Sequence, residues 1–174
     1  MADPTTEFII RSAVPNDAPQ IRELIQDLAN FIQMSDGPKI SAEQLAKDME
    51  AGLMKAFIAH HRETSEVAAM LIHATSYGSW IGPYAIMDDL YVREKFRRKG
   101  LSRTLMAMLA VYCLENNITV MKWTVRKWNK IAIDFYNKIG AVDLCDKAGT
   151  VCYKLNEPEM RSLANGGRTT EEHT

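Results

Sequence analysis

Two adjacent carboxylates, Asp88 and Asp89, stand inside "YAIMDDLYV", a stretch otherwise built for burial. Aspartate is depleted in strand interiors, and a buried carboxylate must be paired, hydrogen-bonded or functional. Such a pair suits proton abstraction or the gripping of a cation. In a regular strand Tyr84, Ile86, Asp88, Leu90 and Val92 share one face while Asp89 points the other way. Downstream, Arg97-Arg98-Lys99-Gly100-Leu101-Ser102 sets three cations and a glycine before an apolar run. A helix N-terminus leaves about four amides unpaired and carries roughly half a positive charge. Gly100 lets an oxygen approach the backbone, so this turn reads as an anion cradle suited to a pyrophosphate. Further glycines are missing, which excludes a dinucleotide-binding fingerprint, and no Gly-Lys-Ser/Thr makes a P-loop. The bland alternatives are a solvated basic turn and a structurally satisfied pair of carboxylates. A third group is Tyr136, within "WNKIAIDFYNKIGA", which is either a half-buried helix tyrosine or a phenol placed to donate a proton.

The elements that must position these groups follow from periodicity and punctuation. Residues 8–11 read as a strand ended by Pro15. Asn16 or Asp17 would cap a helix running to about Met34, with Ile21, Leu24, Ile25 and Leu28 on one face. Ser41 and Gln44 resemble a capping box opening a second helix that closes near Gly52. Strands are expected at 55–60 and 67–75, joined by a polar turn, and at 83–93. A helix at 100–116, a strand at 119–126 and a helix at 129–139 follow, the last opened by Asn129 and closed by Gly140. Its core stripe would be Ile131, Ala132, Phe135 and Ile139. Short strands at 141–145 and 150–155 would finish a mixed α/β sheet. The helix over 101–114 is apolar nearly all round, which calls for burial on most sides, against the sheet and a partner chain.

Bulk properties narrow the function. The 174 residues suit one domain, and 21 basic against 22 acidic residues argue against coating a polyanion. We expect no nucleic-acid partner. Cys113, Cys145 and Cys152 form no Cys-x-x-Cys pair and read as buried thiols of a reducing compartment. His60, His61 and His73 give no metal spacing, so no metal is expected. The opening "MADPTTEF" has no apolar signal core, and the apolar run 105–114 spans about half of the ~20 residues a bilayer requires. These features lead us to expect a soluble, cytoplasmic protein without a membrane partner.

Two motifs together resemble the GCN5-related N-acetyltransferase (GNAT) superfamily. Its Gln/Arg-x-x-Gly-x-Gly/Ala turn is similar to Arg97-x-x-Gly100-Leu101-Ser102, with Ser102 in the last place. Its Asn-x-x-Ala-x-x-Phe-Tyr-x-x-x-Gly-Ala pattern matches Asn129, Ala132, Phe135, Tyr136, Gly140 and Ala141 throughout. "LANFIQMSDGPKIS" and "WIGPYAIMDDLYV" resemble the diamine (spermidine/spermine) acetyltransferase branch, which includes thialysine N-epsilon-acetyltransferases. The resemblance implies one GNAT domain over 5–156, with a mostly antiparallel mixed sheet of six to seven strands flanked by helices, and a polar, flexible tail over 157–174. It implies acetyl-CoA as cosubstrate, held by Arg97, Arg98, Lys99, Gly100, Leu101, Ser102 and Arg103, by the backbone of Leu90, Tyr91 and Val92, and by Asn129, Lys130, Ile131, Ala132 and Tyr136. The amine would meet Phe31, Trp80, Asp88, Asp89, Lys122, Trp123 and Thr124. Members of this branch are homodimers, and the same is expected here.

The implied reaction is direct acetyl transfer to a primary amine, which must first lose a proton because an alkylamine titrates near ~10.4. Asp88, directly or through a water, would be the base, with Asp89 raising its pKa or holding the amine's charge. Strand amides near Leu90 to Val92 would meet charge developing on the acyl oxygen, and Tyr136 would serve the departing thiolate. Ile32, Gly78 and Ala148 stand where polyamine-using members carry acids, and Thr150 where they carry a tryptophan. An amine with one cationic end, like thialysine, is therefore expected ahead of spermine. The other readings are a protein lysine or N-terminal acetyltransferase, and a non-catalytic acyl-CoA-binding module.

Overall fold

The computed structural model describes residues 4–144 and Met160. The chain divides into two compact units, Met1–Thr124 and Val125–Thr174. The expected strand at 150–155, Cys145, Cys152, Ala148, Thr150 and nearly all of the expected tail lie outside the described residues.

In the first unit a single helical turn, α1 (Pro4–Glu7), leads into β1 (Phe8–Ser12). Then come α2 (Ala18–Phe31), α3 (Ala42–Glu50), β2 (Lys55–His61), β3 (Val67–Gly78), β4 (Gly82–Val92), α4 (Leu101–Glu115) and β5 (Met121–Lys122). Among the described residues the strands make one mixed sheet of five in the order β1-β2-β3-β4-β5. The first four pair antiparallel, and β5 runs parallel to β4. This corrects the expected six to seven strands. Residues 141–143 form no strand, and most of the remaining expected strand residues are not described.

Asp17 departs from its expected role. It stands at the N-cap position of α2, but its carboxylate makes no cap bond to that helix. A 3-10 turn at Pro15–Asp17 aims it backwards. There it accepts from the Val14 amide (2.8 Å) and from both Arg11 guanidinium nitrogens (2.6 and 2.7 Å). The Arg11 bonds hold the carboxyl below its usual range. The buried Asp17 thereby ties the end of β1 to the start of α2. Ser41 does cap α3, accepting from the Gln44 amide (3.2 Å), while the Gln44 side chain reaches Asp48 instead of closing the box.

Paired residues of antiparallel strands share a face. Ile21, Leu24 and Leu45 of α2 and α3 pack with Ala56, Ile58, Met70 and Ile72 on one side of the sheet. Alternation puts Phe57, Leu71 and His73 on the other side, where α4 lies and Tyr112 touches the His73 ring at 4.8 Å. Leu101, Leu105, Met106, Leu109 and Cys113 of α4 are buried, whereas Val111 and Leu114 are exposed. Within this one chain the helix is covered on the face toward the sheet.

β5 is only two residues long, against an expected eight over 119–126. Its ladder is limited to Ala85↔Met121 and Ile86↔Lys122, because β4 is irregular immediately afterwards. Truncating Leu105, which is fully buried, to Ala is expected to cost about 2–5 kcal/mol by transfer and cavity terms. Urea denaturation read by far-UV circular dichroism would measure it.

Candidate active site

The irregularity lies at the carboxylates. Ile72 pairs with Asp89 and His73 pairs with Met87, so Asp88 is an extra residue in β4 opposite no partner of its own. This is a β-bulge, which bends its strand and shifts the face phase by one residue. Ala85, Met87, Leu90 and Val92 therefore all lie on the α4 side, while Ile86, Asp89 and Tyr91 lie on the α2 side. The regular alternation expected over Tyr84–Val92 is corrected accordingly. Asp88 is exposed at the bulge, and Asp89 is half-buried.

Burial, and then the neighbouring Asp88 charge, push the Asp89 carboxyl up from 3.8 to about 6. On the same face, the Tyr91 ring stands 6.4 Å from the ring of Phe31, the last residue of α2. The Arg97 guanidinium lies over both, 4.8 Å from Phe31 and 5.8 Å from Tyr91. Four of the expected residues thus gather around one strand end.

Leu90, Tyr91 and Val92 pair with Leu71, Met70 and Ala69 of β3 on one edge. Their other edge meets no strand among the described residues, because the β4–β5 ladder ends at the pair Ile86↔Lys122. The chain then passes a 3-10 turn at Glu94–Phe96 and enters α4. Arg98 (φ 62°) and Gly100 (φ 87°) both adopt left-handed backbone, which reverses the chain tightly. The first helical bond runs from the Thr104 amide to the Gly100 carbonyl (3.1 Å). The amides of Leu101, Ser102 and Arg103 precede it and face out of the helix end.

The cations of the turn are not equivalent. Arg97 Nε donates to the Val92 carbonyl (3.0 Å), and Lys99 is paired with Glu7. Arg98 and Arg103 are exposed. The turn therefore offers backbone amides first and two free-standing guanidinium groups second.

Other expected residues are placed elsewhere. Trp80 is 98% exposed at the β3–β4 hairpin tip. It is removed from Asp88 by the length of β4 between them, roughly 20 Å. Lys122 sits 4.3 Å over the Tyr84 ring, and Thr124 is exposed. No described contact joins either to the carboxylates.

In the second unit, α5 (Lys130–Lys138) opens on Asn129, whose Oδ1 accepts from the Ala132 amide (3.2 Å). It closes on Gly140 (φ 89°), with the Ala141 amide on the Tyr136 carbonyl (3.0 Å). Burial pushes the Tyr136 phenol up to about 12. Ile131 is 85% exposed, so the expected stripe is not a buried core.

A bulged, edge-open strand that runs through a tight turn into a helix N-terminus is the arrangement of an acyltransferase fold. Residues 21–141 match the model of the Acetyltransferase (GNAT) family. A thialysine N-epsilon-acetyltransferase of Caenorhabditis elegans is 35% identical over 158 residues, covering 91% of this chain and 98% of that protein. The Bos taurus thialysine N-epsilon-acetyltransferase is 29% identical, covering 90% and 96%. Among solved structures, an aminoglycoside acetyltransferase, meta-AAC0020, from an uncultured soil metagenomic sample superposes with a TM-score of 0.73 at 19% identity, over 88% of this chain and all of that one. The chain belongs to the GNAT acetyltransferase family. It is an N-acetyltransferase, and enzymes of this family take acetyl-CoA as cosubstrate.

The Asp89 shift has a sign that can be checked. Its folded value lies above its ordinary value, so the stability linked to it is present below about 3.8 and is lost as pH rises through about 6. Asp89→Asn is therefore expected to raise stability at pH 8 by roughly 1–2 kcal/mol, seen as a higher Tm. Asp88→Asn should lower the Asp89 midpoint without returning it to 3.8, because burial is the larger cause. Carboxyl-carbon NMR titration would follow it.

Proposed function

We propose that the chain transfers an acetyl group directly from acetyl-CoA to the primary amine of a small molecule bearing one cationic end, of thialysine or lysine-analogue size. The observation that carries this reading is the open edge of β4 leading into the α4 turn, with Asp88 and Asp89 on the same strand. A thioester supplies an activated acyl carbon, and the chain's own groups do the rest. Outward amides at Leu101–Arg103 match a pyrophosphate, with Arg98 and Arg103 adding charge. The unpaired edge at Leu90–Val92 offers donors and acceptors to an amide-bearing arm.

Within the carboxylate pair the proposal reassigns the roles. Asp89, raised to about 6, is the proton acceptor, and the exposed Asp88 holds the cationic amine near it. A base titrating near working pH combines correct ionisation with adequate basicity. Tyr136 stays a neutral phenol at any working pH. A thiol titrates near ~8.5, so a phenol at about 12 will not surrender its proton outright to a thiolate. Its role is therefore hydrogen-bond donation to the departing sulfur.

The one-charge substrate preference is supported at Gly78. A Cβ there would stand 2.9 Å from Ile81 Cγ1, so any side chain in place of Gly78 requires the exposed Ile81 side chain to shift. Ile32 removes a second acid. The same family reading makes the working enzyme a cytoplasmic homodimer, with exposed Val111 and Leu114 on α4 available to a partner.

A panel of thialysine, lysine, putrescine, spermidine and spermine, scored by CoA release, tests the substrate class. Thialysine is expected to exceed spermine in kcat/KM by at least about tenfold, and equal or reversed preference would overturn the one-charge reading. kcat/KM should fall as pH drops through about 6, and this limb should vanish in Asp89→Asn. Tyr136→Phe should lower kcat about 10²-fold with KM for the amine little changed. Gly100→Val forces a branched residue to φ 87° and is expected to weaken acetyl-CoA binding at least about tenfold by calorimetry, with the fold retained.

A further inference from the structure

A cavity of about 300 Å³ opens in the first unit where β2 begins, lined by Met49, Met54 and Ala56 from the α3 side of the sheet and by Phe57, His73 and Tyr112 from the α4 side. It lies at the far end of α4 from the turn. Tyr112, which lines it, is roughly 16 Å along the helix axis from Leu101. Its walls include Met49, Met54, Phe57, Lys55, His73 and Tyr112, and none of its lining residues is a carboxylate.

Three features of this cavity look for a ligand. His73 is 1% exposed, and its Nδ1 is buried without a hydrogen-bond partner among the described residues. Buried polar atoms are nearly always satisfied by protein, water or ligand. Burial, helped by the Lys55 charge, pushes the ring down to about 4, so it is a neutral imidazole at neutral pH with one donor and one acceptor. Lys55 Nζ donates to the Tyr112 hydroxyl (3.0 Å) and stands 4.7 Å over that ring. An ammonium has three donors, so two remain, and no carboxylate pairs with Lys55 among the described residues. Finally, Phe57 stacks on His73 at 5.4 Å and Tyr112 tilts against it at 4.8 Å, which lines the site with aromatic faces. The two methionines add soft apolar wall.

We propose that this cavity is a second small-molecule site, separate from the acetyl-transfer site, for a monocarboxylate with an aromatic or branched apolar body. One ammonium matches one negative charge. The volume lies at the low end of ligand pockets, ~300–1,000 Å³. The apolar body lies against Phe57, Met49 and Met54, and the carboxylate lies at Lys55.

The test uses 3-phenylpropionate as probe against the full-length chain, with the isosteric amide 3-phenylpropionamide as its uncharged control. Isothermal calorimetry and amide chemical shifts are recorded with and without saturating acetyl-CoA. Saturable binding is expected, with shifts centred on Lys55, His73 and Tyr112, unchanged by acetyl-CoA. The amide and the Lys55→Met variant should each bind at least about tenfold more weakly. Lys55 is exposed, so Lys55→Met and the charge-reversed Lys55→Glu should both keep the wild-type Tm. Equal affinity for the amide, undiminished binding in both variants, displacement by acetyl-CoA, or no saturable signal would each overturn the proposal.

Discussion

One extra residue in β4 governs the site. Without the bulge, a regular strand that kept Asp88 in register would carry the buried phase of Ala85 and Met87 onto Asp89 and Tyr91. That would drive a carboxylate into the α4 core and turn Leu90 and Val92 away from it. The bulge lets both halves of the strand bury apolar side chains under α4 while placing Asp89 and Tyr91 on the α2 side. It also bends β4 where the β5 ladder ends, and beyond that point the edge meets no strand among the described residues. The facing of Asp89 and Tyr91 and the bend beside the end of the β5 ladder both follow from how this one extra residue is accommodated.

Anion recognition then falls to backbone more than to side-chain charge. Arg97 is held by the Val92 carbonyl and by the Phe31 and Tyr91 rings, and Lys99 by Glu7. These two cations fasten the turn to α2, β4 and α1. A fastened turn presents the amides of Leu101–Arg103 in fixed positions, which lowers the ordering cost of gripping a ligand. Arg98 and Arg103, both exposed, contribute the screened, long-range part of the attraction.

Much of this was legible in the sequence where the determinant is local. Gly100 and Gly140 are needed for positive φ, Asn129 and Ser41 cap their helices through their own side chains, and each could be read within a few residues. The features that escaped depend on distant partners. The bulge is a mismatch of register between β3 and β4, and "MDDL" reads as a regular strand until Ile72 and His73 are set against it. Spacing alone made Asp88 the expected base, whereas it is Asp89 whose carboxyl burial raises. The partner of Lys99 is 92 residues away. Asp17 is a good cap by type, but Arg11 competes for it through a 3-10 turn that spacing alone does not reveal. The His73 cavity was also hidden, because its walls come from β1, α3, β2, β3 and α4 and its members share no motif.

A strand with an open edge and a bend is a weak place in a sheet, prone to slip or to pair with another chain. This protein stiffens it at the end next to the turn. Arg93, directly after β4, donates to Asp27 (2.7 Å) and Glu23 (3.3 Å) of α2 and to the Val67 carbonyl (3.1 Å) at the start of β3. Its amide adds a bond to the Ala68 carbonyl (2.9 Å). A guanidinium suits this task because its rigid fork serves several acceptors at once. The individual exposed pairs contribute little, but together they anchor one end of β4 while the long β3 ladder holds one side. The opposite edge then meets no strand among the described residues, and Arg97 reaches it at the Val92 carbonyl. An enzyme that must admit a ligand as a surrogate strand needs that freedom, and Arg93 supplies the rigidity that keeps it from becoming disorder.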